Sequence, residues 1–509
     1  MAKKERTVLN KTMSPAAIWA VAVGSIIGWG CFIQGANWTV RAGGPLPLML
    51  GIIVGGLLMG VVGRSYSYMI AKFPVAGGEF AYAYQGYGRT AAFICGWMLS
   101  LGYISIVALN ATALPVLAGY IFPGIFSQGF LYTIAGYDVY IGEVALSVFF
   151  ILLFGILNYF GAKSVGNMQL TMVLIMCAAV VIAVSGTVFT GNFHMENLMP
   201  AYGEGGKTLI TGLISILAIA PFMYVGFDCI PQAAEEYNFP PQKAKRLISS
   251  ALLVGALIYA LMALVTDVVL PWMEMASLTT ATGAPVKWQT GAMLDMAMGK
   301  AGVAFVAVAV TMGIFTGLNG FFMTSSRLIF CMARAKMLPA SFARIHPKYR
   351  TPSACIIFTT ILCVFCPFFG REVLNWVVDM CSVGTAVGYF FTCAGAYILV
   401  RKYDHPNDVN RISKGMAGLG CLISLSILLL LVVPGSPACM EVQSFIALGI
   451  WVSMGAIFYA VYRRSFKNVS KREMDYLILG NVQIRMGLRK NRQQEERVKG
   501  RLVECSGAK

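Results

Sequence analysis

Gly24-Ser25-Ile26-Ile27-Gly28-Trp29-Gly30 and Tyr224-Val225-Gly226-Phe227-Asp228 are the two stretches whose reading decides the fold of this chain. Each interrupts an apolar segment long enough to cross a bilayer. Backbone groups freed in hydrocarbon cost several kcal/mol each, so such a break survives only where protein buries it or where it lines a polar cavity. Two interrupted helices in corresponding halves of a membrane protein point to a substrate site near the bilayer midplane.

The composition outside the breaks agrees. The chain has 509 residues, 58% hydrophobic and only 12% charged, with a mean hydropathy of +0.71. A soluble protein carries about 25% charged residues, so lipid is the main solvent here. The pattern predicts twelve spans, at 15–41, 46–71, 91–119, 139–158, 166–189, 208–235, 247–271, 301–333, 353–370, 372–400, 416–433 and 443–462. Each is long enough for a hydrocarbon core about 30 Å thick. The expected architecture is an all-α integral membrane protein without separate soluble domains.

Lysine and arginine favour cytoplasmic loops. Lys3, Lys4, Arg6 and Lys11 precede the first span, Lys72 and Arg89 flank the second loop, and Lys163 sits in the fourth. Lys243, Lys245 and Arg246 fill the sixth loop, and Arg334, Lys336, Arg344, Lys348 and Arg350 the eighth. Arg401, Lys402, Arg411 and Lys414 occupy the tenth, and the tail is crowded with cations. Residues 122–138 and 434–442 have none. The alternation predicts a multi-pass protein of the cell membrane with both termini in the cytoplasm.

The net charge of +17 therefore reports topology. A nucleic-acid partner would need that charge gathered on one solvated surface. The basic N-terminus does not read as a signal peptide, because its apolar run is too long and continues as a span. Thirteen cysteines, with Cys95, Cys177, Cys363 and Cys393 inside spans, show no paired spacing or metal pattern and read as core thiols. His194, His346 and His405 fall in loops, which argues against a buried histidine relay. No cofactor, metal site or catalytic residue is expected. The expected partners are the bilayer and a small molecule, with H⁺ or Na⁺ open as a coupling ion.

The spans divide into residues 15–189 and 208–400, with 416–462 as two further spans, 1–14 as an N-terminal segment and 463–509 as a tail. Span one runs outward and span six inward, as two halves of inverted topology require, so both breaks would meet mid-membrane. The tail has an amphipathic piece near Met474–Leu488 and reads as solvated or lying on the membrane surface.

Splitting span one leaves carbonyls at the end of its inner half, about 15–23, and amides at the start of its outer half, from about 31. Carbonyls at a negative dipole end suit an ammonium, and amides at a positive end suit a carboxylate. Span six adds carbonyls near Phe222–Val225. The arrangement fits a zwitterion, most simply an α-amino acid. A lone G-x-x-x-G such as Gly24 to Gly28 more often marks close helix packing. Pro221, Gly226, Asp228 and Pro231 crowding the second break shift the balance toward a site.

At this point the chain resembles the amino acid–polyamine–organocation permeases. Gly24 to Phe32 (GSIIGWGCF) looks like their first-helix signature, and Pro74 to Tyr82 (PVAGGEFAY) like the loop after their second. Gly226-Phe227-Asp228 through Ala234-Glu235-Glu236 resembles their sixth helix. Ser326-Arg327, Met332 to Arg334 and Met337 to Pro339 resemble the end of the eighth, and Ser382 to Thr385 the tenth. The resemblance implies a five-plus-five inverted-repeat (LeuT-like) fold with discontinuous helices one and six. It also implies carboxylate binding by amides around Gly28, Trp29 and Gly30, with the amine meeting carbonyls of Ile26, Phe222 and Val225. The candidate binding residues are thus Ser25, Ile26, Ile27, Gly28, Trp29, Gly30, Phe222, Val225 and Gly226, with Phe222 and Tyr103 as candidate gates. In two places the chain departs from the family. Trp29 stands where relatives carry a small or hydroxylated residue. A lysine some relatives carry on helix five has no counterpart, and an ungapped reading puts Met176 there.

An intramembrane acid is a functional candidate by default. Three roles are open to Asp228: titration as a coupling group, steadying the unwound segment, or facing a cationic substrate. Asp267, Glu143 and Asp379 read as solvated residues at outer helix ends, Arg64 and Arg327 as snorkelling inner ones, and Glu235 and Glu236 as inner-face ion-pair partners. Thr316, Thr324 and Ser325 offer oxygens that either pack helices or meet Na⁺. The leading function is alternating-access transport of α-amino acids, by exchange or with an ion. A polyamine or other cationic amine, with Asp228 as counter-ion, is one alternative. An amino-acid sensor signalling through the tail from Arg464 is another. No nucleophile–base pair suggests an enzyme and no charged lining suggests a channel.

Overall fold

A computed structural model describes residues 6–134, 137–275, 277–279, 286, 288–370, 373–403, 410–436 and 438–481. His405 and the distal tail, including residues 482–488 of the amphipathic piece near Met474–Leu488, lie outside them. The first apolar segment is three helices, α1 (Pro15–Ile27), α2 (Gly30–Ile33) and α3 (Gly35–Ala42). They are followed by α4 (Pro45–Lys72), α5 (Gly78–Tyr87) and α6 (Arg89–Ile121). A hairpin of β1 (Phe130–Ile134) and β2 (Tyr137–Tyr140) leads into α7 (Ile141–Phe160) and α8 (Ala162–Phe189). The second interrupted segment is α9 (Leu209–Ala218), α10 (Ala220–Tyr224) and α11 (Cys229–Gln232). Then come α12 (Ala244–Val269), α13 (Trp272–Met275), α14 (Gln289–Arg334) and α15 (Ser353–Phe365). The chain closes with α16 (Val373–Tyr403), α17 (Lys414–Val432), α18 (Val442–Lys467) and α19 (Lys471–Leu479).

Among the described residues ten helices are long and apolar enough to cross a membrane, and Leu209–Ala218 and Ser353–Phe369 are shorter apolar helices. The Leu209–Ala218 helix is short because its segment bends at Ile219 and opens at Val225. The β1–β2 hairpin corrects the all-α expectation. Its aromatic and β-branched residues suit an exposed antiparallel ladder, with Thr133 opposite Asp138.

α1, α6, α14 and the broken α10–α11 segment form the centre, with α16 against α6 and α10. Buried side chains crowd α1, where Ala17, Ile18, Ala20, Val21, Ala22 and Val23 are enclosed. α18, by contrast, turns Ile446, Ile450, Ile457 and Val461 outward. An apolar exterior around a helical bundle is what a lipid solvent selects.

Candidate functional site

The first break is narrower than the sequence suggested. α1 stays helical through Ile27, and Gly28 ends it with φ +48° and ψ −141°, while its amide still donates to the Gly24 carbonyl (3.0 Å). Left-handed φ is cheap only for glycine. Gly24 is a packing residue, since a Cβ there would lie 2.5 Å from Thr316 Cβ and 2.7 Å from Gln169 Nε2. The inner half therefore ends at Ile27, not near residue 23. Past the break the helix restarts at Gly30 and bends again at Gln34. Among the described residues no backbone hydrogen bond runs from the amides of Trp29 and Gly30 to another element.

The second break opens at Val225 (φ −57°, ψ 132°) and Gly226 (φ +136°). The two breaks touch: a Cβ on Gly226 would sit 2.5 Å from the Ile26 nitrogen and 2.7 Å from the Ser25 carbonyl carbon. Tyr259 on α12, which nothing in the sequence pattern singled out, staples them. Its hydroxyl lies against the Ile26 carbonyl and 2.6 Å from the Met223 carbonyl. A carbonyl has two lone pairs, so Ile26 keeps one for another donor.

Two buried polar atoms beside this junction have no hydrogen-bond partner, Ser25 Oγ and Asn110 Oδ1. Asn110 Oδ1 lies 3.7 Å from where a Gly28 Cβ would be. Unsatisfied buried acceptors cost about 1–3 kcal/mol each. Trp29 and Phe222 are both buried, and Trp38 and Tyr259 pack edge to face beside them (5.8 Å between centroids).

Of the roles open to Asp228, its hydrogen bonds show it steadying the unwound segment. Its Oδ1 accepts from the Gly226 amide (2.7 Å), which fixes the turn of the break. Its Oδ2 accepts from the Tyr103 hydroxyl (2.8 Å), which also lies 3.3 Å from Glu79 Oε1. Glu79 Oε2 accepts from Gln232 Nε2 (2.5 Å). Glu79, at the start of α5, is fully enclosed; burial first and the Asp228 charge second push its carboxyl well above the usual range. Glu79 stands in the sequence inside the 74–82 motif, and only the fold shows that this loop turns back against the second break.

Gln169 on α8 lies against Gly24. Gln169 Nε2 donates to the Thr316 carbonyl (3.0 Å) and Oε1 accepts from Asn319 Nδ2 (2.7 Å), while Asn158 Nδ2 donates to Asn319 Oδ1 (3.0 Å). Thr316 Oγ1 donates to the Gly24 carbonyl (3.1 Å). Thr324 and Ser325 hydrogen-bond back to their own helix. A neutral amide network thus joins α1, α7, α8 and α14.

Interrupted helices whose peptide groups meet in a lipid-solvated bundle agree with the family comparison. A family model described as amino acid permease matches residues 14–459. This chain belongs to the amino acid permease family. It is 26% identical to the methylthioribose transporter of Bacillus subtilis over 486 residues, covering 92% of this chain and 97% of that one. The branched-chain amino acid permease BcaP of Lactococcus lactis is 25% identical over 473 residues, 89% of this chain and 94% of its own. The vacuolar cationic amino acid transporter 4 of Arabidopsis thaliana is 27% identical over 79% of this chain and 65% of its own length. The protein is a multi-pass membrane transporter, not an enzyme.

Just past α11, buried ion pairs tie Glu235 and Glu236 to α14 and to the segment before α1. Arg334 grips Glu235 with two nitrogens (2.9 and 3.0 Å), and Arg6 reaches the same carboxylate at 2.5 Å. Arg327 pairs with Glu236 (2.7 and 3.2 Å). The expectation for the two glutamates holds. Arg327 is corrected: it is enclosed, because Glu236 gives it a partner that snorkelling would forfeit. Asp267 is corrected too, being buried on the Thr39 hydroxyl (3.0 Å). The segment before α1 is tied in by the Met13 amide donating to the Glu236 carbonyl (2.9 Å). α19 is no free tail: Met474, Ile478 and Leu479 are buried, and Tyr84 donates to Asp475 (2.6 Å). Among the described residues the cysteines are free and no His, Cys, Asp and Glu group could hold a metal.

Proposed function

We propose that this permease moves α-amino acids across its membrane by alternating access, with the zwitterion held at the two breaks. The apposition of Gly226 with Ser25 and Ile26 carries this reading, because it brings the end of α1 and the opening of the second break to one junction. The ammonium would take the free lone pair of Ile26 together with Ser25, Ile27, Phe222 or Val225 carbonyls. The carboxylate would take the amides of Trp29 and Gly30, since the Gly28 amide is spent on the Gly24 carbonyl. Asn110 and Ser25 supply the side-chain contacts, and Phe222 closes over the guest. We read the architecture as twelve spans in a five-plus-five inverted repeat, with residues 6–13 and α19 at the cytoplasmic end of a cell-membrane protein.

A neutral side chain suits the site better than a cationic one. Asp228 already holds the Gly226 amide and the Tyr103 hydroxyl, so it is not free to meet a substrate cation. The relatives' names do not decide it, since branched-chain permeases and cationic amino acid transporters both stand among them. Uptake of labelled leucine into proteoliposomes, challenged with alanine, lysine, putrescine and methylthioribose, tests it. Competition by alanine but not putrescine supports the reading. Competition by putrescine or methylthioribose alone overturns it.

A further inference from the structure

The carboxyl groups of Glu79 and Asp228 approach from different elements and meet on one phenol. Tyr103 Oη is 2.8 Å from Asp228 Oδ2 and 3.3 Å from Glu79 Oε1. A phenol has one proton to give. Spent on the nearer Asp228, that proton leaves the Glu79 contact to be made by a hydrogen on Glu79 itself. The remaining oxygens agree: Asp228 Oδ1 faces an amide N–H and Glu79 Oε2 faces an amide NH₂, both donors. The hydrogen-bond count therefore closes with one proton on the pair.

No counter-charge relieves the pair. Among the described residues neither carboxylate forms an ion pair with Lys, Arg or His, and the side chains of Glu79, Tyr103, Asp228 and Gln232 are all enclosed. The titratable groups facing it are Tyr66 from α4, Tyr82 from α5, Cys95 from α6, Cys229 from α11, and Cys381 and Tyr389 from α16. All are neutral acids that cannot offset a second negative charge. Two like charges at this range in a low dielectric cannot both persist.

The loop has been shaped to put Glu79 there. A Cβ on Gly78 would lie 2.9 Å from Pro231 Cβ, so only glycine lets α5 begin against the second break.

We infer that Glu79, Tyr103 and Asp228 form a proton-binding site that couples proton movement to the opening of the second break. The inference rests on the transport reading above and names its coupling ion. In the transfer the Tyr103 O–H bond breaks as one forms on Asp228 Oδ2, while the Glu79 O–H bond breaks as one forms on Tyr103 Oη. The phenol stays neutral and the negative charge moves from Asp228 to Glu79. A neutral Asp228 holds the Gly226 amide less strongly than a charged one, which frees the turn that presses on Ile26.

Two measurements on the full chain separate this from the transport reading. Infrared difference spectra of the purified protein across a pH jump report the protonated-carboxyl C=O stretch without any substrate. Wild type should show a titrating buried carboxyl, and Glu79→Gln should lose it. Proteoliposomes carrying a pH gradient then report leucine accumulation, and counterflow reports movement that needs no net proton. Glu79→Gln and Tyr103→Phe should lose accumulation driven by the gradient while counterflow remains measurable. An unaltered carboxyl band in Glu79→Gln, or unaltered gradient-driven accumulation in both variants, overturns the inference. A titrating band in a wild type that moves no amino acid keeps the proton site and overturns the transport reading. Should Glu79→Gln fail to fold, Tyr103→Phe carries the transport arm and Glu79→Asp, whose band should shift, the infrared arm.

Discussion

Gly226 and Ile26 meet backbone to backbone, so closely that a single methyl on Gly226 would lie 2.5 Å from the Ile26 nitrogen. The contact makes the two breaks one structural unit. Whatever moves the second break must move the end of α1.

The first consequence concerns Gly226→Ala. The added carbon strikes Ile26, and the φ of +136° is one that an L side chain rarely adopts. An alanine forced to positive φ costs more than about 1 kcal/mol before any clash. Leucine uptake should be lost and the unfolding midpoint in detergent should fall. Uptake at the wild-type rate would show that the breaks need not touch.

Tyr259→Phe removes the donor shared by the Ile26 and Met223 carbonyls. A buried acceptor left unpaired costs about 1–3 kcal/mol. The variant should unfold at lower temperature and take up leucine about tenfold more slowly, a loss of about 1.4 kcal/mol. Initial rates with matched protein amounts check it.

Asn110→Ala tests the orphaned Oδ1 beside Gly28. If that oxygen receives the substrate ammonium, its loss should raise KM about tenfold with a smaller change in maximal rate. An unchanged KM would assign Asn110 to packing between α6 and α14 alone.

The pH dependence of stability has a fixed sign. Burial and the Asp228 charge hold the Glu79 carboxyl above its ordinary value of 4.5. Above that pH the unfolded chain sheds a proton that the folded one keeps, so the folded state binds more protons and loses stability as pH rises. The loss stops growing once pH passes the raised value of Glu79. Thermal unfolding from pH 4.5 upward should show this slope in wild type and a shallower one in Glu79→Gln. Equal slopes would contradict the assignment.

Both breaks were legible in the sequence because glycine, proline and an acid inside an apolar segment do little there except open the helix. Gly28, Gly226 and Asp228 stand where they were expected. What stayed hidden lies between elements. Tyr259 on α12 looks like any aromatic in an apolar helix, and only the fold brings its hydroxyl to two broken ends. Glu79 sits outside every span, so a search for acids within spans passes over it. Gln169 was passed over because an amide in an apolar helix carries no mark of the Thr316 and Asn319 groups it meets. The enclosed Arg327 was misread for a related reason: a partner nearly a hundred residues away cannot be seen from one helix.

Peptide groups at the junction of α1, α2 and α10 must grip the guest if this mechanism is right. A cryo-EM structure of the permease bound to the amino acid that most raises its unfolding temperature tests this most directly. The mechanism predicts density with its ammonium at the Ile26 carbonyl and its carboxylate at the Trp29 and Gly30 amides. An amino acid bound elsewhere, or held there by charged side chains with residues 24–30 and 224–228 continuously helical, would contradict it.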